Sequence, residues 1–82
     1  KGATKKETKY LLFKMLVEND LKKFNKLQRL QLILHYERLG YRYKKVTVGF
    51  WIQICAYLLK EFEFKQIFKS TRKFLKYIKK NL

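Results

Sequence analysis

Residues 47–60 read TVGFWIQICAYLLK. The stretch holds no acidic residue, and its single charge is Lys60 at the very end. Thr47 suits a helix N-cap, since its hydroxyl can accept a bond from a backbone N–H two or three residues on. From Val48 to Leu59 only Gly49 and Gln53 lie outside the large or small apolar set. A helix apolar on every side has to be surrounded, by protein or by lipid. The run is about a dozen residues, short of the ~20 that span a bilayer. It therefore predicts a central core helix over 48–60 with the other helices packed around it. A buried strand over 46–54 is the competing assignment, and the run is too long for a typical strand.

Working outward, residues 1–3 form a short basic arm, and Thr4 and Glu7 have the spacing of a capping box. A first helix is predicted over 5–18, with an apolar stripe of Leu12, Met15 and Leu16 widened by Leu11 and Phe13. Asn19-Asp20 reads as a break, with Asp20 as the next N-cap. A second helix is predicted over 21–39. Its stripe is Leu21, Phe24, Leu27, Leu30 or Gln31, and Leu34, and Gly40 stands where a left-handed C′ residue belongs. The connector 41–46, YRYKKV, leads into the core helix. EFEF at 61–64 marks a turn, and a last helix is predicted over 65–80. Its apolar side is Phe64, Ile67, Phe68, Thr71, Phe74 or Leu75, Ile78 and Leu82. The expected fold is all-α: one domain over 1–82, a small bundle of about four helices around the apolar helix.

The composition supports helices joined by few turns, with no proline and three glycines among 82 residues. The hydrophobic share is 48% and the aromatic share 17%, enough for a core. A single core in so short a chain supplies only ~3–5 kcal/mol. Against that stands a net charge of +15, well above the ~2–8 that suits a small soluble domain. Self-repulsion of that size destabilises a compact monomer. A polyanionic partner and self-association both relieve it, and both are expected. The lone cysteine, Cys55, reads as a small buried hydrophobe. The polar start KGATKKETK has no signal-peptide pattern, which predicts an intracellular, nucleic-acid-associated location such as a nucleoid or a virion-like particle.

Catalytic parts are missing. His35, the only histidine, has no cysteine or carboxylate at ligand spacing, and Glu37 faces another side of its helix. No glycine-rich phosphate loop and no nucleophile–base pair can be assembled. No enzyme, cofactor or metal site is expected.

The cations carry the information. Of the 21 basic residues only Arg29, Arg38, Arg42 and Arg72 are arginine. Bidentate reading of guanine edges is mainly arginine work, whereas lysine is a point charge suited to phosphate. A lysine-dominated surface predicts backbone binding with little base readout. The candidate contacts are Lys22, Lys23, Lys26 and Arg29 on the second helix, and Lys65, Lys69, Arg72, Lys73, Lys76, Lys79 and Lys80 on the last. Between them Tyr41, Arg42, Tyr43, Lys44 and Lys45 interleave aromatics with cations. That mixture can stack bases and hold phosphate, although both tyrosines could equally lean on the core.

These features predict a non-enzymatic, largely sequence-nonspecific protein that binds and packages duplex DNA in preference to RNA and oligomerises on it. A chromatin-like or nucleocapsid role fits. In composition and layout the chain resembles the short, basic, helical coat proteins of filamentous viruses that wrap DNA; no motif carries the likeness, and it assigns no family. Two alternatives remain open. A helix-turn-helix regulator could use the breaks at 19–20 and 40, but the helix after the second break has no polar side for a groove. A cationic protein on anionic membrane could use the last helix, lysine on one side and Phe, Leu and Ile on the other.

Overall fold

The computed structural model describes the backbone of residues 5–81 and the side chains of residues 7–81. The basic arm at 1–3, Thr4 of the expected Thr4–Glu7 capping box and Leu82 lie outside the described residues. Among the described residues four helices and one 3-10 turn succeed one another: α1 (Lys5–Asn19), the turn (Leu21–Lys23), α2 (Lys26–Arg42), α3 (Val48–Lys60) and α4 (Phe64–Asn81). The fold is all-α, a small helical bundle, with no strand among the described residues. It comprises two compact units, one ending at Lys45 and the other starting at Val46. Each unit is a hairpin of two consecutive helices.

In the first unit α2 starts later and ends later than its sequence pattern suggests. Asp20 precedes the 3-10 turn without a side-chain capping bond. Its carboxylate lies 3.1 Å from the Lys23 ammonium. The helix proper starts after Asn25, in a reciprocal capping box. Asn25 Oδ1 accepts from the Gln28 N–H at 2.9 Å, and Gln28 Oε1 accepts from the Asn25 N–H at 3.3 Å. Two orphan donors are thereby satisfied at once. Because the chain breaks at Phe24 and Asn25, Leu21 and Phe24 do not share the helical phase of α2. The buried side of α2 is Ile33, Tyr36, Glu37, Leu39 and Gly40, while Leu27 is exposed.

Gly40 lies inside α2 and is not its left-handed cap. The helix runs on to Arg42 and closes with Lys44 at φ 55°. The Lys45 N–H donates to Gly40 O at 2.8 Å, and the Lys44 N–H to Tyr41 O at 3.3 Å. This is the Schellman arrangement, with lysine where glycine is usual. On α1 the packed side is Tyr10 and Val17, with Leu11, Leu12 and Met15 exposed. Apolar residues occupy almost the whole circumference there, so ring stacking selects the side. Tyr10 stacks on Tyr36 at 5.7 Å between centroids, and Phe13 on His35 at 5.3 Å.

In the second unit α3 has the predicted bounds. The Thr47 hydroxyl caps it, accepting from the Phe50 N–H at 3.1 Å. Its buried residues are Phe50, Ile54 and Leu58. Trp51 is only half-buried; its ring lies parallel to Phe74 with centroids 5.2 Å apart, and its Nε1–H donates to Thr71 Oγ1 at 3.2 Å. Cys55 Sγ lies 4.0 Å from the same hydroxyl. A second Schellman turn ends α3: Glu63 N–H donates to Leu58 O at 3.0 Å, and Phe62, at φ 58°, donates to Leu59 O at 3.0 Å. The predicted turn at 61–64 is this one. α4 buries Ser70 and Phe74. Among the described residues the Ser70 hydroxyl has no protein hydrogen-bond partner.

Two outcomes are expected in denaturation monitored by circular dichroism. Trp51→Ala, which removes the stack on Phe74 and the bond to Thr71, should lower stability by about 3 kcal/mol. Lys44→Gly, which relieves a side chain held at positive φ, should raise it by about 1 kcal/mol.

Candidate nucleic-acid interface

The densest cation group belongs to α4. Lys65, Lys69, Arg72, Lys73, Lys76, Lys79 and Lys80 are all exposed. At about 100° per residue they fall within an arc of roughly 120°, opposite the buried Phe74. From Lys65 to Lys80 the helix rises about 22 Å, and it contains no acidic residue. The packing leaves them there: the packed side is the narrow row Ser70 and Phe74 with half-buried Ile67, Thr71, Tyr77 and Ile78, and the cations occupy the outer side.

The sequence-derived apolar side of α4 is rotated from the observed one. Phe64, Phe68 and Leu75 are exposed. A single neighbouring helix cannot cover so wide an arc, and contact with Trp51 and Cys55 through Thr71 settles which part is covered.

The remaining candidates lie on the first unit. Lys22 and Lys23 are exposed on the 3-10 turn, and Lys26 is exposed at the first residue of α2. Arg29 is different. It is half-buried, and its Nη1 donates to Phe24 O at 2.7 Å. The guanidinium thus ties the end of the 3-10 turn to the first turn of α2. Tyr41 and Arg42 stand on the last turn of α2 and not in a loop; Tyr43 is its C-cap. Both tyrosines are half-buried, while Arg42, Lys44 and Lys45 are exposed. Lys45 borders a small groove with Glu7, Tyr10, Leu11 and Lys14.

A feature the sequence does not disclose is an open cleft of about 590 Å³ on the first unit, lined by Phe13, Phe24, Gln31, His35 and Arg38 among others. Its walls come from α1, the 3-10 turn and α2, so no local spacing reveals it. Among the described residues no three His, Cys, Asp or Glu side chains gather as a metal site. Nor, among them, is any helix long and apolar enough to cross a membrane. Compared with protein-family models, with characterised proteins and with solved structures, the chain matches none.

Arg29→Ala should act on stability. Loss of the charge-assisted bond to Phe24 O should cost about 1–2 kcal/mol in urea denaturation. Arg29→Lys should retain only part of that contribution, because a point charge lacks the guanidinium geometry.

Proposed function

We propose that the chain is a non-enzymatic protein that binds duplex DNA through the phosphate backbone, with little sequence preference, and packages it by assembling along it in a nucleoid- or virion-like particle. The observation that carries this reading is the acid-free row of seven cations on the outer side of α4. Duplex DNA presents one negative charge per ~1.7 Å of axis, so a row about 22 Å long can meet several phosphates at once. An α-helix ~10–12 Å across also fits a major groove ~12 Å wide. Six of the seven are lysines, which suit phosphate and not base edges. The exposed Lys22, Lys23, Lys26, Arg42, Lys44 and Lys45 of the first unit are further candidate phosphate contacts. Tyr41 and Tyr43, being half-buried, offer at most part of a ring to a base.

The test is the salt dependence of affinity. Lysines that neutralise phosphates release counterions, so log affinity falls linearly with log salt at about −0.9 per contact. Replacing Lys69, Lys73, Lys76 and Lys80 with glutamine keeps helix propensity similar. The slope should become shallower by up to ~3.6 if all four touch phosphate. The loss should be equal on unrelated duplexes. An unchanged slope in the folded variant would remove α4 from the interface, and a loss confined to one duplex would favour a sequence-reading regulator.

A further inference from the structure

The side of the α3–α4 hairpin that carries no charge is left uncovered. Trp51 and Cys55 on α3 meet Thr71 and Phe74 on α4, which fixes the sides the two helices turn to each other. Next to that contact on α3 come Val48, Ile52 and Leu59, exposed to 58%, 54% and 55%. Next to it on α4 come Phe64, Phe68 and Leu75, exposed to 53%, 74% and 59%. The two helices of a short-turn hairpin run antiparallel, so their angular senses are opposite, and these two rows fall on the same side. Phe62, 74% exposed, closes one end, edge-on to Phe64 at 6.3 Å. The other flank of α3 carries the buried Phe50, Ile54 and Leu58.

We propose that a second copy of this chain docks on this side, pairing the hairpins face to face. Three observations point to a like chain. The first is area: the seven exposed side chains offer several hundred Å², on the order of the ~800 Å² per partner of a standard interface. A patch of that extent marks an interaction site.

The second is charge. Among positions 48–59 there is no charged residue, and the outer rim of α3 is the exposed, small Gly49 and Ala56. Here two chains of charge +15 can touch without bringing lysines together. The exposed Leu11, Leu12 and Met15 of α1 are a smaller row with charge on both flanks, Lys14 and Glu18 on one and Lys9 on the other.

The third is orientation. With α3 of one copy over α4 of the other, the two cation rows point to opposite outer sides, and both stay accessible. Stacking α4 on α4 would put them side by side. A lipid surface fits less well: an interfacial pair has cations on both rims and tryptophan turned outward, whereas α3 has a Gly49–Ala56 rim and Trp51 is stacked on Phe74.

The contact extends the proposed packaging role by naming the assembly surface, and it is tested without nucleic acid. The intact chain is measured by sedimentation equilibrium over a range of salt. Dimerisation should strengthen as salt screens the self-repulsion, the reverse of DNA binding, so failure of one reading leaves the other intact. Ile52→Glu combined with Phe68→Glu should raise the dimer dissociation constant roughly 100-fold or more, with helicity unchanged; Leu12→Glu on α1 should leave it within a factor of about two. If the double variant loses helicity, Ala56→Glu, at an exposed small position, decides by the same measure. A wild-type chain that stays monomeric at all salts overturns the proposal, as does a dimer indifferent to these changes. Binding of the monomer to phosphatidylserine vesicles, lost in the double variant, would overturn it in favour of lipid.

Discussion

Twenty-one cations set against six acids in 82 residues are the constraint under which everything else is arranged. With so few carboxylates available, almost every cation must face outward, and each helix keeps only a narrow side for packing. The buried set is accordingly small. Among the described residues its apolar members are Tyr10, Val17, Ile33, Tyr36 and Leu39 in the first unit and Phe50, Ile54, Leu58 and Phe74 in the second. Aromatic rings suit such a situation because each supplies a large contact area from one position. Tyr10 on Tyr36 and Trp51 on Phe74 tie together the helices of their respective hairpins.

Where sequence periodicity and capping chemistry agree, the elements are legible. Thr47 before a long apolar run marks the start of α3, and the EFEF change of period marks the turn before α4. The second helix is less readable, since Leu21, Phe24, Leu27, Leu30 or Gln31, and Leu34 keep three- and four-residue steps across a break. Only the Asn25–Gln28 reciprocal bonds expose it. Gly40 misleads for a related reason. A Schellman closure needs one left-handed residue, glycine is its usual occupant, and here Lys44 takes the strain instead. The cation row of α4 is visible because composition and period suffice to find it. The role of Arg29 is not, because it depends on the position of a carbonyl at Phe24 that no pattern encodes.

The second hairpin separates two kinds of surface on adjacent sides. One is charged and is the proposed contact for a polyanion; the other is apolar and is the proposed contact for a second copy. Salt would act on the two proposed contacts in opposite directions, weakening the first and shielding the repulsion that opposes the second. A packaging protein built this way would couple its assembly to the neutralisation of its charge, since a bound polyanion removes the same repulsion that added salt screens.

Both hairpins join helices that are neighbours along the chain, through turns held by their own backbone bonds at Gly40–Lys45 and Leu58–Glu63. Topologies of such low contact order fold in microseconds to milliseconds. A ribosome adds only ~5–20 residues per second. Once clear of the exit tunnel, α1 and α2 therefore have ample time to close into their hairpin, and the helix bearing the cation row is the last of the four to form.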